Sequence, residues 1–228
     1  MPKVSIVLPL LDEEALLPRA IERLQAMRSR GCELIAVDGG SRDRTMDITR
    51  PMVDLLLEAP RGRARQMNVG ARRARGEVLW FLHADVLVPP EGDLVVATAV
   101  EEGHFWGRFD VALSGSEHAF RIVEWMMNKR SCLSGICTGD QGIFVSAEVF
   151  ARVGGYPEID LMEDIALSRL LKTRQLPACL LQRIVVSSRR WERDGIWRTV
   201  LSMWRIRACY WLGQKPDALA RIYYGRES

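Results

Sequence analysis

The sequence of 228 residues has no uninterrupted apolar run long enough to cross a membrane, no glycine-rich dinucleotide motif and no P-loop motif. The missing run argues against a transmembrane protein, and the missing motifs leave dinucleotide and P-loop sites unsupported. Net charge is only +3, so the composition predicts no nucleic-acid partner. The N-terminus enters a strand pattern without the plan of a signal peptide, and we therefore expect a cytoplasmic protein.

Lysine and paired cysteine are also scarce. Only four of the 32 basic residues are lysine, and arginine suits phosphate because its fork binds two oxygens, although genomic base composition explains the same bias. The five cysteines show no zinc-type spacing, and we expect them all to be reduced thiols. They are Cys32, Cys132, Cys137, Cys179 and Cys209.

The stretch from Glu77 to Asp85 changes abruptly from large apolar residues to polar ones. Its apolar part, between Gly76 and Pro89, predicts a strand buried on both faces. His83 and Asp85 follow two residues apart, so their side chains point the same way. Ligands of open α/β sheets bind outside the carboxyl ends of strands, and a carboxylate there requires a partner. We expect Asp85 to ligate a divalent metal.

Strand and helix patterns alternate through the first half with short connections. The predicted strands are 3–11, 33–38, 53–58 and 77–82. This alternation predicts a parallel, doubly wound α/β sheet. The strand tips carry Asp12 and Glu13, Asp38, the arginines of 61–65, and His83 with Asp85. Singly these are explained as caps, turn formers or solvated charges; together at one sheet edge they suit a nucleoside diphosphate with its metal.

Several motifs of this half resemble those of the family-2 glycosyltransferases, which have the GT-A fold. These are 6–9 with 12–14, 37–45, and 81–85. More narrowly, the chain is similar to a small bacterial subgroup, the selenodomain-associated transferases, through residues 62–71, 82–85, 139–142 and 187–191. The resemblance implies an enzyme that moves a sugar from a nucleotide-diphosphate sugar to an acceptor hydroxyl, with inversion and with Mn²⁺ or Mg²⁺.

The resemblance also implies the donor site. Its nucleotide-binding residues are Pro9, Glu13, Asp38, Arg63, Arg65 and His83. Asp85 is the last residue of the Asp-x-Asp-type motif and is implied to ligate the metal that bridges the diphosphate. His83 stands where the motif has its first Asp, and a neutral imidazole can hydrogen-bond a ribose or ligate a metal.

The second half supplies the implied acceptor side. The Gly-framed stretch 139–142 lines the sugar and acceptor pocket by resemblance, and a plain turn is the alternative. The residues assigned to this pocket are Gly139, Asp140, Gln141, Glu163 and Trp191. Asp160 and Glu163 fit a capping box, which leaves Asp164 as the implied catalytic base; complementing the helix dipole is the alternative role.

Three further stretches carry open alternatives. Arg189 and Arg190 follow a predicted strand and either neutralise a departing diphosphate or form a surface pair. The aromatic and Met-rich helix after Ser116 is expected to be core, with an acceptor-binding wall as the alternative. A final helix over 195–212 has an aromatic face, expected to dock on the protein body or a second copy; the alternative is a peripheral contact with the inner face of a membrane and a lipid acceptor. That face comprises Trp197, Val200, Trp204, Ala208 and Trp211.

We therefore predict one GT-A-like domain over 1–228, with a nucleotide-binding half at 1–88, an acceptor and catalytic half at 89–192, and a helical extension at 193–228. The expected partners are a nucleotide-sugar donor and a hydroxyl acceptor, either a small molecule or a lipid. Two rival functions stay open. One is a nucleotidyltransferase that makes a sugar nucleotide, and the other is a non-catalytic binding module that docks through 195–212.

Overall fold

The computed structural model describes residues 3–225, apart from the side chains of Arg190 and Tyr224. Eight strands form one sheet in the order β3-β2-β1-β4-β7-β6-β8-β5. The strands are β1 (Val4–Leu10), β2 (Glu33–Asp38), β3 (Leu55–Glu58), β4 (Val78–Phe81), β5 (Val86–Leu87), β6 (Trp106–Leu113), β7 (Phe144–Ser146) and β8 (Ala178–Val186). Strands β3, β2, β1 and β4 are mutually parallel, whereas β7 is antiparallel to both β4 and β6. The predicted α/β architecture is confirmed.

Helices cover both faces of this sheet. They are α1 (Leu17–Ser29), α2 (Thr45–Thr49), α3 (Arg63–Arg73), α4 (Gly92–Glu101), α5 (His118–Ser134), α6 (Ala147–Arg152), α7 (Glu163–Leu171), α8 (Arg189–Asp194), α9 (Ile196–Trp211) and α10 (Pro216–Tyr224). Among the described residues, none of these helices is both long and apolar enough to span a membrane.

The central strands read as continuous apolar runs because they are buried on both sides. Neighbouring residues Trp80 and Phe81 of β4 belong to two different apolar clusters, and so do Leu34 and Ile35 of β2. The first cluster packs the sheet against α1, α4 and α5, and the second packs it against α3, α6 and α7. The helices therefore leave the carboxyl edge of the parallel strands as the place where polar side chains gather.

Asp12 is not a helix cap, although a cap was one explanation for an acid at this strand tip. Helix α1 begins only at Leu17, and Asp12 has a positive φ of 53°. The residues between Asp12 and Leu17 belong to a loop that is hydrogen-bonded to the loop after β2. Pro18 is tolerated because it lies in the first turn of α1, where the backbone N–H has no helical acceptor.

The prediction of five reduced thiols is wrong for two of them. Cys132 of α5 and Cys179 of β8 form a disulfide across 47 positions of sequence. Cys32, Cys137 and Cys209 are free. The sequence pattern gave no sign of the pair, because α5 packs beside β6 and β6 pairs with β8, which only the tertiary fold determines.

The C-terminal helices pack against the body of the protein, but only in part through the aromatic face expected from the sequence. Ile206 of α9 and Leu219 of α10 are buried against Leu161 and Ile165 around the start of α7. Trp197, Trp204 and Trp211 are instead 58%, 53% and 54% exposed. The expectation that the aromatic face of α9 docks on the protein's own body holds only in part, because Val200 is 8% exposed and the Arg169 Cζ lies 4.9 Å from the centroid of the Trp211 ring. Docking of the exposed tryptophans on a second copy stays a prediction. The predicted helical extension contains a further helix, α10, that was not predicted separately. The division at residues 88 and 192 stays a prediction.

Candidate active site

Donor-side residues meet at the carboxyl edge of β1 and β4. Pro9 lies at the carboxyl end of β1 and Glu13 follows that strand, whereas His83 and Asp85 follow β4; all four line one small cavity. Arg63, the first residue of α3, lines this cavity and both of its neighbours. The basic loop thus reaches the site through Arg63, because a helix that starts at the sheet edge projects its first side chains over that edge.

Glu13 is positioned by two loops that hydrogen-bond to each other. Its backbone N–H donates to Thr45 Oγ1 at 2.7 Å. Asp12 Oδ1 accepts from the Arg42 N–H at 2.7 Å, and Glu14 Oε2 accepts from the Arg44 N–H at 3.0 Å. The acidic residues after β1 and the residues after β2 therefore hold one another in place.

Glu13 and Asp85 are two carboxylates that face a shared space. Burial, and then the negative charge of Asp85, raise the pKa of Glu13 to about 7, although Arg63 and His83 act in the opposite direction. The negative charge of Asp85 thus disfavours the charged form of Glu13. A cation between them relieves this repulsion.

These donors fit a divalent metal of the kind that binds a diphosphate. Among residues 3–225 no group of three His, Cys, Asp or Glu side chains stands ready to hold an ion. Mg²⁺ and similar ions at phosphate sites often take one or two carboxylates and draw their other ligands from phosphate and water. Asp85, with Glu13 and His83 beside it, meets that requirement, and the diphosphate would supply the remaining oxygens.

A short turn over Gly139–Gln141 connects the donor edge to α7. The Gly139 N–H donates to Asp164 Oδ2 at 2.9 Å, and Asp140 Oδ1 lies 3.4 Å from His83 Nδ1. A Cβ on residue 139 would lie 2.6 Å from the imidazole of His83, so only glycine allows this approach. Burial raises the pKa of Asp140, but the interaction with His83 outweighs it and holds this pKa below its ordinary value.

The two acids at the start of α7 differ in environment. Asp164 lines the cavity and accepts the Ile165 N–H at 2.7 Å. Glu163 is only 7% exposed, and burial followed by the charge of Asp164 raises its pKa to about 7. The predicted capping box of Asp160 with Glu163 is wrong, because Met162 takes the N-cap position with a φ of 72°, a conformation that a non-glycine residue adopts at an energetic cost.

One cavity of about 170 Å³ thus holds Arg63, His83, Asp85, Asp140 and Asp164 together. The glycosyl transferase family 2 model matches residues 5–145, which is more than half of the chain. The chain belongs to glycosyl transferase family 2. The predicted family is therefore confirmed, while the selenodomain-associated subgroup stays a prediction.

Named relatives within the family cover the chain in part. It is 34% identical over 112 residues to an undecaprenyl-phosphate 4-deoxy-4-formamido-L-arabinose transferase of Shewanella sediminis, across 44% of this chain and 34% of that protein. It is 26% identical over 163 residues to an uncharacterized glycosyltransferase of Haemophilus influenzae, across 67% of this chain and 55% of that protein. The chain thus spans about a third to a half of the length of these relatives.

Solved structures show the fold. S. aureus TarS superposes with a TM-score of 0.62 and 17% identity, covering 82% of this chain and 60% of TarS. Glucosyl-3-phosphoglycerate synthase from Mycobacterium tuberculosis, solved with Mn²⁺, UDP and glucosyl-3-phosphoglycerate, superposes with a TM-score of 0.60 and 16% identity, covering 82% and 70%. The GT-A fold predicted for this family 2 chain is confirmed.

Three of the residues assigned to the site of this family 2 chain make other contacts. Asp38 is 1% exposed, and its carboxylate accepts from the Gly40 and Ser41 N–H groups and from Ser41 Oγ. Gln141 is buried and donates to Ser131 Oγ at 2.9 Å. Arg65 lies 3.8 Å from Glu158 and 4.0 Å from Asp160. None of these three is among the residues that line the 170 Å³ cavity.

The arginine pair after β8 does not supply a described cation to that cavity either. Arg189 begins α8 with an exposed side chain, and Arg190 falls on a side chain outside those described. Trp191, the next residue, does line the cavity. Because the chain turns directly into α8, the arginine that immediately follows Ser188 projects outward while Trp191 faces in.

The C-terminal helices provide wall residues that the sequence reading missed. They are Thr199, Met203, Arg207 and Tyr223. The spacing of Thr199, Met203 and Arg207, four residues apart each time, puts them on one face of α9. An arginine on a face that otherwise carries buried residues was the available signal, but the tryptophans on the opposite face were the stronger pattern.

Proposed function

We propose that this protein is a glycosyltransferase that moves a sugar from a nucleoside diphosphate sugar to an acceptor hydroxyl. The supporting observation is the single cavity in which the donor-side residues His83 and Asp85 meet Asp164. The related TarS was solved with UDP and with UDP-GlcNAc, which favours a nucleotide sugar as the donor.

The residues of the sheet edge hold the donor. Pro9 and Glu13 line the side of the nucleoside, and Arg63 meets the diphosphate with its guanidinium. Asp85, with Glu13 and His83 nearby, would hold Mn²⁺ or Mg²⁺, and that ion would supply positive charge to the leaving diphosphate. Asp38 supports this site through the turn after β2, since its oxygens are already bonded to Gly40 and Ser41.

Asp164 accepts the proton of the acceptor hydroxyl as that oxygen attacks the anomeric carbon. The N–H groups of Gly139 and Ile165 fix both of its oxygens, so the carboxylate is oriented before substrate arrives. The bond from the anomeric carbon to the diphosphate breaks in the same displacement. A single displacement inverts the configuration of that carbon.

A surface of exposed tryptophans around α9 favours contact with a lipid bilayer. It consists of Trp125, Trp197, Leu201, Trp204, Trp211 and Leu212, and is called the tryptophan surface below. Tryptophan is enriched at membrane interfaces, where its ring is half buried and half wet. We propose that this surface rests on the membrane that carries a lipid acceptor, as the name of the undecaprenyl-phosphate relative suggests. That the protein contacts the cytoplasmic face of this membrane stays a prediction.

Two carboxylate substitutions test the assignment. Asp164→Asn should reduce sugar transfer by about 10²- to 10⁴-fold and leave nucleotide binding unchanged, because only the proton acceptor is lost. Asp85→Asn should weaken nucleotide binding in the presence of Mn²⁺ but not in its absence. The measurements are thermal shifts with nucleotide sugars, with and without Mn²⁺, and single-turnover transfer assays.

Asp47→Asn, an exposed acid on α2, is the matched control and should match the native protein in both assays. Full turnover in both site variants would contradict the assigned roles. Release of pyrophosphate from a nucleoside triphosphate would indicate the nucleotidyltransferase instead. A cellular role that survives both substitutions would favour the non-catalytic module.

A further inference from the structure

Two partly buried arginines line a groove that shares residues with the catalytic cavity. Arg130 lies near the end of α5, and Arg207 lies in the middle of α9; both line the groove between these helices, which we call the α5–α9 groove. Arg130 Nη1 donates to the Ile136 carbonyl at 3.1 Å, but Arg130 Nη2 is buried without a hydrogen-bond partner. Arg207 Nε is also buried without one. Each guanidinium therefore has donor capacity that the described protein does not use.

These two positive charges are close enough to disfavour each other. Burial, and then the charge of Arg207, lower the pKa of Arg130 to about 10. Burial also lowers the pKa of Arg207, although Asp164 and Asp140 raise it. Both groups stay protonated near neutral pH. A buried charge without a paired, hydrogen-bonded counterion is costly, so an anion between the two guanidinium groups would stabilise the site.

A third arginine, Arg108, also has a buried Nε without a hydrogen-bond partner, but its charge has a counterion within the protein. Arg108 of β6 is paired with Asp110, and its Nη2 donates to the Asn128 carbonyl at 2.8 Å. No carboxylate of the described chain lies at ion-pair distance from Arg130 or Arg207. The contrast indicates that the missing counterion of this pair comes from a ligand.

The α5–α9 groove has room for an apolar ligand. It has a volume of about 340 Å³, and its lining includes the exposed side chains Trp125 and Trp204 of the tryptophan surface. Its apolar wall includes Val123, Met126, Met127, Trp191, Met203 and Trp204. It shares lining residues with the catalytic cavity, namely Thr138, Asp140, Trp191, Met203 and Arg207. A ligand in the groove therefore reaches the site of Asp164 at Arg207.

We propose that Arg130 and Arg207 bind the phosphate group of an acceptor whose apolar chain lies in the α5–α9 groove. The inference rests on the proposed function and gives the acceptor a chemical class, a phosphate monoester with an apolar chain. A guanidinium binds two phosphate oxygens through its fork, so the pair fixes the orientation of the headgroup.

The chemistry balances with this acceptor. A phosphate oxygen forms the new bond to the anomeric carbon while the bond from that carbon to the nucleoside diphosphate breaks. In the monoanion the attacking oxygen carries a proton, which passes to Asp164. In the dianion no proton is transferred, and the electron pair of the broken bond leaves with the nucleoside diphosphate. Arg130 and Arg207 are thus positioning residues for the nucleophile.

Farnesyl phosphate and farnesol test the pair as matched probes, with inorganic phosphate as the headgroup without a chain. Quenching of tryptophan fluorescence in the full chain measures binding without requiring the donor. The native protein should bind farnesyl phosphate at least tenfold more tightly than either other probe. Arg130→Gln and Arg207→Gln should each weaken farnesyl phosphate binding about 10- to 100-fold and leave farnesol binding unchanged, because a charged hydrogen bond is lost.

Arg205→Gln is the control, since Arg205 is exposed on α9 and is not one of the lining residues of the groove. Arg207→Lys keeps the charge without the fork and should recover only part of the affinity, a result that a purely structural role does not produce. Circular dichroism should show all variants folded, because Arg130→Gln and Arg207→Gln each remove one of two repelling charges, Arg207→Lys keeps the charge, and Arg205 is exposed.

Equal affinity of the native protein for farnesyl phosphate and farnesol would overturn the proposal. A loss of nucleotide affinity in Arg130→Gln would also overturn it, since it would assign that arginine to the donor. If the protein turns over the donor but shows no preference for a phosphate, that result contradicts only the proposed acceptor site. Absence of nucleotide-sugar binding in the native protein contradicts the proposed function, and the fluorescence titration still decides the phosphate preference.

Discussion

At the scale of single residues, Glu163 makes stability depend on pH. Its pKa in the folded protein is about 7, above the ordinary value of 4.5. The folded state therefore holds this proton more tightly than the unfolded state does, and the stabilisation is fully present below about pH 4.5 and lost as pH rises through about 7. Glu163→Gln, which cannot ionise, should raise the free energy of unfolding at pH 8 by roughly 1–3 kcal/mol and change it little at pH 4.

Urea unfolding of both proteins across this pH range measures the effect. Glu22→Gln, an exposed carboxylate on α1, serves as the control and should follow the native curve. Parallel pH profiles for native protein and Glu163→Gln would show that Glu163 titrates as an ordinary surface acid.

Individual site residues were predictable where the sequence fixes their distance from a strand end. Pro9 reaches the cavity because it lies at the carboxyl end of β1, and His83 and Asp85 reach it because they follow β4 closely. The sequence alone could not show which of Arg63 and Arg65 reaches the cavity, since this depends on the residue at which α3 begins. Asp38 shows the same limit: its position after β2 was predicted, but the bonds that its carboxylate makes inside the turn were not.

At the scale of elements, α9 presents opposite faces to the protein and to solvent. If the tryptophan surface rests on a bilayer, Trp197→Ser combined with Trp211→Ser should reduce binding to anionic phospholipid vesicles roughly 30-fold, because two half-buried rings each contribute about 1 kcal/mol. Vesicle co-sedimentation measures this binding. Trp204 is left intact in the test because it also lines the α5–α9 groove.

Leu176→Ser, an exposed apolar residue outside the tryptophan surface, should bind vesicles as the native protein does. A protein that ignores vesicles but sediments as a dimer, which the double substitution disrupts, would assign the surface to a second copy of the chain instead.

Periodicity identified α9 but predicted its inner face only in part. The rule that large apolar side chains face the core fails here, because Val200 and Ile206 fill the available core while the tryptophans remain outside. The same periodicity cannot distinguish an aromatic face that contacts protein from one that contacts lipid. For α5, the Met-rich face predicted to be core or acceptor wall lines the α5–α9 groove through Met126 and Met127.

At the scale of the whole molecule, the disulfide links α5 to β8 across 47 positions. Closing a loop of that length in the unfolded chain stabilises the folded state by about 4 kcal/mol in the chain-entropy model. Replacing Cys132 and Cys179 by serine should lower the free energy of unfolding by up to this amount. Urea denaturation with and without reductant measures the change.

Cys209→Ser is the control, because Cys209 is free and should leave the stability unchanged. Thiol titration in denaturant should count three thiols before reduction and five after it. Five thiols in the unreduced protein would contradict the disulfide.

The parallel half of the sheet could be predicted because local alternation of strands and helices dictates it. The antiparallel insertion of β7 between β4 and β6 could not, since it pairs segments that are far apart in sequence. For the same reason the sequence could not predict that Arg130 and Arg207 line one groove from its two sides.

The missing side chain at position 139 also constrains how this sequence can diverge. Residues 83 and 139 occupy what is effectively one volume, because the imidazole of His83 fills the place that a Cβ on Gly139 would need. A larger residue at 139 therefore requires the imidazole to move or a smaller residue at 83. We expect substitutions at the two positions to be coupled.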